Sequence, residues 1–387
     1  MSTEITGLDP ESGRTVRVRV SDGVIDAVDD IPDADDTCWL APGLIDLQVN
    51  GYAGYDVNAA DVDVETIVGL TGALADEGVT TFAPTIITAP EHRITAALAV
   101  IARARAVDPA VRHAISHVHV EGPHISAEEG PRGAHDREWV RPPSVAEFLR
   151  WQRACDGLVG MVTLSPHYPG STGYIAALRE HGVHVAIGHT HCEHAEIEAA
   201  VMAGASVSTH LGNGAHAMLP RHPNYLWSQL AEVRLTAGFI ADGHHLDPAV
   251  FTAMLRAKGL DRAFLVSDAV ALAGLAPGVY DTPVGGQVEL GADGRLARFG
   301  TPFLAGAALG LADGVAGAVA MAEIALADSL ALATVNPARF VRTGPPRGVL
   351  RPGAAADLIR FRWQPGDRTL RLDRVLTATS TTKGLAP

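Results

Sequence analysis

Lysine is almost absent from this chain of 387 residues, which contains only Lys258 and Lys383. Lys258 falls in a segment typical of a helix C-terminus, and Lys383 lies in the C-terminal tail. Neither lysine stands at the end of a predicted strand, where a reactive amine would be needed. Schiff-base catalysis and a pair of metal ions bridged by a modified lysine are therefore not expected.

Cysteine is also scarce. Cys38, Cys155 and Cys192 lie far apart in the sequence and form no Cys-x-x-Cys motif. We expect neither a disulfide framework nor a thiolate metal site, and three free thiols fit a reducing cytoplasm.

Long hydrophobic runs are missing, although 47% of the residues are hydrophobic. No apolar run reaches the roughly 18 residues that a membrane-spanning helix requires. Residues 1–4 carry no positive charge and lead into no apolar segment, so they do not indicate a secretory signal. The sequence predicts a cytoplasmic protein with no membrane partner.

Positive charge is in the minority, because 30 Lys and Arg residues face 44 Asp and Glu residues, a formal net charge of -14. This balance argues against nucleic acid and anionic membranes as partners. An anionic substrate would have to be held by a few local arginine or histidine side chains.

Strand-like and helix-like segments alternate through most of the chain. Residues 64–77 and 91–106 have helical periodicity, and residues 78–85 between them have the pattern of a buried strand. Counting onward from the strand that contains Gln48 gives about eight such strands, which predicts a parallel (β/α)8 TIM-like barrel.

Both chain ends are rich in short alternating strands instead. We predict that residues 1–41 and 345–387 form a small discontinuous β-sandwich domain, and that residues 42–344 form the barrel. The class is α/β.

The most informative stretch is residues 115–124, a short strand that stops at a Gly-Pro pair. Period-2 counting places His119 and Glu121 on one face, with Glu121 at the C-terminal end, where barrel enzymes keep their chemistry. A carboxylate at this position needs a partner. The candidates are a metal ion and a neighbouring loop that the side chain would cap.

Two further strand ends carry histidine. His189 and His210 lie 21 residues apart, about one strand-helix-strand step, so they should stand on neighbouring strands. Glu121, His189 and His210 would supply three protein ligands and leave an open position for water or substrate, as in a catalytic zinc site. Iron or cobalt would also suit these ligands.

The strand that contains Gln48 and Asn50 bears on the number of metal ions. Hydrolases with two ions often place a His-x-His pair at such a strand end, but amide side chains are poor ligands for a transition metal. We therefore expect one divalent metal ion.

Asp268 ends a strongly apolar strand, where an unpaired carboxylate is costly. Facing the metal, it would take a proton from water and later deliver it to a leaving nitrogen. Its alternative role is to support a ligand histidine. Among the other histidines, His119 is either a supporting or a packing residue, and His124 and His191 are either substrate contacts or solvated loop residues.

Eight short motifs together resemble the N-acetylglucosamine-6-phosphate deacetylases of the amidohydrolase superfamily, from about residue 40 to the C-terminus. They are residues 42–51 (PGLIDLQVNG), 119–123 (HVEGP), 133–135 (GAH), 188–190 (GHT), 209–211 (THL), 240–245 (IADGHH), 267–269 (SDA) and 304–306 (LAG).

The resemblance implies a role for each matching residue. Glu121, His189 and His210 would hold one divalent metal, and Asp268 would be the general base and then the acid. The substrate-binding residues it implies are Gln48, Ala134, His135, Asn213, Gly214, Arg221, His245, Leu304, Ala305 and Gly306.

Within that set, the resemblance places His135 beside the amide carbonyl, and Asn213 and His245 on the side of the sugar phosphate. It implies that Arg221 reaches the phosphate of a neighbouring subunit, so that a homodimer would complete the site. An arginine fork suits a phosphate. The reaction implied is hydrolysis of N-acetylglucosamine-6-phosphate to glucosamine-6-phosphate and acetate.

The chain departs from the family pattern after the second ligand histidine. Gly212 replaces a bulky aromatic residue, and His216 is additional. His124 follows the HVEGP motif where an apolar residue is common. These changes leave other substrates open, namely another N-acetyl amino sugar, an N-acyl-D-amino acid or a cyclic amide. The alternative from another class is a sugar-binding pseudoenzyme.

Overall fold

The computed structural model describes residues 3–32, 36–282, 286–301, 303–342, 344–379 and 383–384. Its strands, in chain order, are β1 (Thr3–Leu8), β2 (Thr15–Ser21), β3 (Val24–Asp30), β4 (Trp39–Pro42), β5 (Leu44–Val49), β6 (Gly51–Tyr52), β7 (Tyr55–Asp56), β8 (Val79–Ile86), β9 (Val118–Glu121), β10 (Val159–Leu164), β11 (His184–Ile187), β12 (Val207–Ser208), β13 (Thr236–Phe239), β14 (Ala263–Leu265), β15 (Gly278–Thr282), β16 (Gly286–Leu290), β17 (Leu296–Arg298), β18 (Leu358–Arg362), β19 (Arg371–Leu376) and β20 (Lys383–Gly384).

Helices alternate with the strands of the central region. They are α1 (Val64–Asp76), α2 (Glu91–Val107), α3 (Pro109–Ala114), α4 (Val145–Ala154), α5 (Ser171–Glu180), α6 (His194–Ala203), α7 (Tyr225–Ala231), α8 (Pro248–Lys258), α9 (Leu311–Ala322), α10 (Leu326–Ala333) and α11 (Val335–Ala338). Short 3-10 turns cover Arg137–Trp139 and Leu260–Arg262.

Eight parallel strands form the barrel, in the order β5, β8, β9, β10, β11, β12, β13 and β14. The barrel closes just beyond β14, where Ala269 forms a parallel bridge with Val49 and accepts a hydrogen bond from the Asn50 amide at 2.8 Å. The predicted (β/α)8 barrel is confirmed. Because the strands are parallel, their carboxyl ends meet at one face.

The first barrel helix illustrates why the sequence folds this way. Asp63 caps α1 by accepting a hydrogen bond from the Thr66 amide at 2.8 Å. Ile67, Leu70 and Leu74 recur at helical spacing and are buried. Every residue of the neighbouring strand β8 is buried, as expected for a strand with helices outside and the barrel interior inside.

Strands from both chain ends form one seven-stranded sheet, in the order β20, β19, β18, β4, β1, β2 and β3. The outer strand β3 also bonds to the segment before β18, because the Ile25 amide donates to Ala354 O at 2.9 Å. The sheet thus folds over a hydrophobic core of its own. That core consists of Ile5, Val16, Val18, Val20, Ile25, Leu40, Ala354, Ala356, Leu358 and Leu376.

We propose that residues 1–41 and 345–387 constitute the small domain and residues 42–344 the barrel. Residues 1–2, 33–35, 283–285, 302, 343, 380–382 and 385–387 of that division lie outside the described residues. The sheet is fastened to the barrel by His113 of α3, whose Nε2 lies 2.8 Å from Asp357 Oδ1.

A small antiparallel sheet of β15, β16 and β17 is inserted between β14 and α9. The sequence interpretation did not include it. Its strands are only three to five residues long, too short for alternation to stand out against the surrounding glycines. The sheet leads directly to the 304–306 motif, because Leu304 forms an antiparallel bridge with Ala297.

No helix among the described residues is long and apolar enough to cross a membrane.

Candidate metal centre and active site

Three strand ends bring Glu121, His189 and His210 together at the carboxyl face of the barrel. Glu121 is the last residue of β9, His189 follows the end of β11, and His210 follows the end of β12. One potential ligand atom from each residue lies within 4.8 Å of the others, and all three side chains are buried. The sequence placed these three side chains together correctly.

Glu121 is the charged centre of this group. Its Oε1 lies 3.1 Å from His210 Nε2 and 3.3 Å from His189 Nε2. Burial alone would raise the pKa of Glu121, but His189 and His210 outweigh burial and hold this pKa well below its ordinary value. The carboxylate is therefore charged and available as a ligand.

The donor set fits a divalent metal ion. His189 Nδ1 donates to Pro131 O at 2.8 Å, which leaves the Nε2 lone pair directed at the centre. His210 Nε2 lies 3.1 Å from His189 Nε2. One carboxylate and two imidazoles are the three protein ligands of an open catalytic site.

The backbone at the site is strained at three of the four residues that are predicted to carry the chemistry. His189, His210 and Asp268 have φ values of 48°, 26° and 51°. Left-handed conformations of this kind cost on the order of 1–3 kcal/mol each for residues other than glycine. Because the strain coincides with the side chains that converge, it supports a functional role for this face.

Asp268 lies beside the metal ligands and is held in place by a residue that the sequence interpretation treated only as a poor ligand. Asn50 Nδ2 donates to Asp268 Oδ1 at 2.8 Å. Burial, together with the charge of Glu121, raises the pKa of Asp268 to about 6. Gln48 of β5 and Asn50, the residue directly after β5, fall on one face by period-2 counting, and that pattern was the available signal.

Gln48 and His135 complete the inner site. Gln48 Nε2 donates to Glu121 Oε1 at 2.8 Å. His135 Nε2 lies 3.3 Å from His189 Nε2 and 3.6 Å from Glu121 Oε2. Burial lowers the pKa of His135 to about 3, so its ring is neutral.

The remaining predicted contacts lie further out. Asn213 Nδ2 is 3.4 Å from His210 O, and His245 Nδ1 donates to Asp242 Oδ2 at 2.6 Å. Ala134 is exposed beside the buried His135. Arg221 is exposed, and its guanidinium forms no ion pair within the described chain.

Residues 304–306 approach the segment after Asp268. Gly306 has a φ of 123°, and a Cβ atom there would lie 2.8 Å from Val270 Cγ1. Leu304, Ala305 and Gly306 are partly buried. They therefore lie against the strand end that carries the candidate base.

The prediction about His124 needs correction. His124 is neither a substrate contact nor a solvated loop residue, because its side chain is fully buried. Its ring stacks on the ring of Trp151, with 5.6 Å between the ring centroids, and meets the ring of Tyr174 edge-on, with 5.2 Å between the centroids. Its replacement of an apolar residue therefore concerns the packing of the helices, not the substrate pocket.

His119 packs beneath the site, with Nε2 2.7 Å from Thr163 Oγ1 and Nδ1 3.3 Å from Leu47 O. It is fully paired with groups of the barrel interior. Of its two predicted roles, packing with internal hydrogen bonds is the one that the geometry gives it.

Asp46 is a buried carboxyl that the sequence interpretation did not single out. It accepts hydrogen bonds from the Gln48 and Ser267 amides, each at 3.2 Å, and so joins β5 to the segment that carries Asp268. Burial raises the pKa of Asp46 to about 7.

This raised pKa predicts a pH-dependent effect on stability. The folded protein retains the Asp46 proton up to about pH 7, whereas the unfolded chain releases it near its ordinary pKa of 3.8, so the associated stability is lost as pH rises through about 7. We expect Asp46→Asn, which stays neutral, to gain stability relative to the parent between about pH 4 and about pH 7, and to keep a constant advantage at higher pH. Thermal unfolding of both proteins measures this, and a stability difference that is constant with pH would contradict it.

With this geometry established, the comparisons with known proteins define the family. The sequence profile of the Amidohydrolase family matches residues 39–380. That match covers most of the chain, which therefore belongs to the amidohydrolase family.

More specific relatives are sugar-phosphate deacetylases. The chain is 30% identical to the N-acetylglucosamine-6-phosphate deacetylase of Bacillus subtilis (strain 168) over 322 residues, covering 83% of this chain and 80% of that protein. It is 31% identical to the N-acetylgalactosamine-6-phosphate deacetylase of Escherichia coli O157:H7 over 347 residues, covering 89% of each.

A solved structure agrees with the fold. The crystal structure of N-acetyl-D-glucosamine-6-phosphate deacetylase from Mycobacterium smegmatis superposes with a TM-score of 0.85 at 28% identity, covering 97% of this chain and 98% of that one. The resemblance found in the motifs thus extends through the whole described fold.

Proposed function

We propose that this amidohydrolase is a metal-dependent deacetylase that hydrolyses N-acetylglucosamine-6-phosphate to glucosamine-6-phosphate and acetate. The observation that carries the proposal is the convergence of Glu121, His189 and His210 within 4.8 Å, with the carboxyl of Asp268 buried beside them. The names of the relatives support the substrate.

The protein's own side chains supply the proton transfers. A divalent metal at this centre would acidify water and polarise the acetyl carbonyl. Asp268 accepts the proton of the attacking water and then delivers it to the leaving nitrogen. Asn50 keeps the Asp268 carboxylate oriented through the 2.8 Å bond to Oδ1.

His135 is placed to act on the carbonyl oxygen of the substrate. The Thr88 amide donates to His135 Nδ1 at 3.4 Å, and the Thr88 hydroxyl lies 2.9 Å from the same nitrogen. With both groups donating to Nδ1, the ring proton is on Nε2, which faces the centre. A neutral imidazole N–H there stabilises negative charge as it develops on the oxygen.

For the phosphate, we propose His245, the Asn213–Gly214 backbone and an arginine from a second subunit. Asp242 fixes the His245 ring through Nδ1, so that Nε2 of the protonated ring is free to donate to a phosphate oxygen. Burial alone would raise the pKa of Asp242, but hydrogen bonds from His245 outweigh this effect and lower the pKa to about 2. The Asp242 carboxylate is therefore charged.

We propose a homodimer in which Arg221 reaches the neighbouring site. Arg221 lies on an exposed loop between Met218, which is 90% exposed, and Trp227, which is 59% exposed. Two large apolar side chains beside an unpaired arginine are suited to burial against a second copy of the chain.

If this homodimer forms the complete site, Arg221→Ala should weaken binding of the phosphorylated sugar. Losing a charge-assisted bond to phosphate should raise KM for the phosphorylated sugar about tenfold or more, with little effect on the unphosphorylated sugar. Mixing Arg221→Ala and Asp268→Asn subunits should restore activity, because the hybrid dimer then contains one complete site. No recovery in a mixture that exchanges subunits would show that Arg221 acts within its own chain.

Zinc is the metal we propose, and iron and cobalt also suit the ligands. Metal analysis of the purified protein, followed by chelation and separate reloading with each ion, decides among them. The three cysteines are free and buried, which supports a cytoplasmic location.

The 4-epimer is a second candidate substrate, because one relative of comparable identity is an N-acetylgalactosamine-6-phosphate deacetylase. The test is acetate release from metal-loaded protein with both sugar phosphates and with unphosphorylated N-acetylglucosamine. Turnover of the glucosamine derivative above the others supports the proposal. Full metal occupancy without turnover of any of the three would favour a sugar-binding pseudoenzyme or an amidohydrolase for another N-acyl substrate.

A further inference from the structure

Three loops at the carboxyl face of the barrel meet at the side chain of Glu128. Glu128 lies in the loop after β9, His191 in the loop after β11 and His216 in the loop after β12. His216 Nε2 is 2.8 Å from Glu128 Oε2, and His191 Nε2 is 3.8 Å from Glu128 Oε1. One carboxylate therefore joins loops from three strand ends.

The His216 ring is also fixed from its other side. The hydroxyl of Tyr225, the first residue of α7, accepts from the His216 amide at 2.8 Å and lies 3.1 Å from His216 Nδ1. Because the Glu128 carboxylate can only accept, His216 Nε2 carries the proton of that bond, and on a neutral ring the Tyr225 hydroxyl then donates to Nδ1. The side chains of Tyr225, His216 and Glu128 therefore form a continuous chain of hydrogen bonds.

The loops that this chain joins are the ones that enclose His189. Pro131 O accepts from His189 Nδ1 at 2.8 Å. On the other side, Gly214 lies against the same ring, because a Cβ atom there would be 2.8 Å from His189 Nδ1. The two loops also touch directly, since a Cβ on Gly130 would lie 3.0 Å from Ala215 O.

We propose that His216 is a positioning residue that, through Glu128, closes the β9 and β12 loops around His189. It does not touch the metal centre. It acts by holding Pro131 and Gly214 against the ligand ring, and by fixing the Asn213–Gly214 segment that we assign to the sugar phosphate. The effect on the His189 ring requires only that the metal centre exists, whereas the effect on the Asn213–Gly214 segment rests on the proposed function.

The test measures zinc release from full-length, zinc-loaded protein after addition of a chromogenic chelator. Partners that orient a ligand histidine typically contribute 10–100-fold to metal affinity or activity. We expect His216→Ala to release zinc about tenfold faster than the parent, and to raise KM for N-acetylglucosamine-6-phosphate more than it lowers kcat. His222→Ala is the matched control, because His222 is exposed on the same loop.

Glu128→Gln keeps the test decisive if His216→Ala folds poorly. Glu128→Gln preserves size and an acceptor oxygen but removes the charge, so it should accelerate zinc release to a smaller extent. If both alanine variants fold, a double-mutant cycle adds a second test: Glu128→Ala with His216→Ala should release zinc no faster than the faster of the two single variants, because each single variant already removes the His216–Glu128 contact.

Zinc release at the parental rate from folded His216→Ala and Glu128→Gln would overturn the proposal. Strictly additive effects of the two alanine variants on zinc release would also overturn it. Zinc release requires no turnover, so an incorrect substrate assignment would leave this result intact and would be recognised separately in the acetate assay.

Discussion

Asp268→Asn should lower kcat about 10³-fold while the protein retains its metal, since a general acid-base group typically contributes 10²–10⁴-fold. Asparagine has the same shape, and its oxygen can still accept the hydrogen bond from Asn50. It can neither take a proton from water nor return one to the leaving nitrogen. The measurements are acetate release at saturating substrate and metal content by elemental analysis.

The matched control for that variant is Asp261→Asn, which changes an exposed aspartate away from the site. It should retain parental kcat. If Asp268→Asn also keeps near-parental kcat with full metal occupancy, the proton transfers belong to another group, and Asp268 is a supporting residue for the ligand histidines.

Glu121→Gln should abolish metal retention and reduce activity by about 10³-fold, equivalent to several kcal/mol of transition-state stabilisation. Glu121 is the charged member of the three proposed ligands, and its Oε1 is the atom that both histidine Nε2 atoms approach. An amide of the same size preserves the packing with Gln48 but offers only a neutral, weaker donor to the metal.

Thermal unfolding with and without zinc tests the same variant independently of turnover. Metal that binds only the folded state should stabilise the parent by about 2.7 kcal/mol at a free concentration of 100 Kd. Glu121→Gln should show almost no zinc-dependent shift, whereas Glu198→Gln, an exposed change on α6, should behave as the parent does. An undiminished zinc shift in Glu121→Gln would place the metal elsewhere.

The residues assigned to the metal were accessible from the sequence because of barrel topology. Once alternation predicts parallel strands, the strand ends carrying Glu121, His189 and His210 must meet at one face. Asp268 could be assigned to the same face by the same argument, because it is the polar residue at the end of an apolar strand. Gln48 and Asn50 were identified as amides in place of histidines, but the bond from Asn50 to Asp268 depends on barrel closure between Val49 and Ala269.

Loop histidines were less predictable. His124, three residues beyond Glu121, turns away into the helices, whereas His135, eleven residues further along, returns to within 3.6 Å of the Glu121 carboxylate. No periodicity in the connecting loop distinguishes the two. The direction of each ring is set by packing partners that are distant in sequence, namely Trp151 for His124 and Thr88 for His135.

The sequence by itself determined the barrel, the face where Glu121, His189 and His210 converge and the types of ligand proposed there, because strand-helix alternation and strand-end polarity are local properties. Tertiary structure alone decided how the loops close over that face. The contact of His216 with Glu128 spans 88 residues, and that of Asn50 with Asp268 spans 218. Contacts at such separations arise only when barrel closure and side-chain packing fix the loop directions, and no local pattern encodes them.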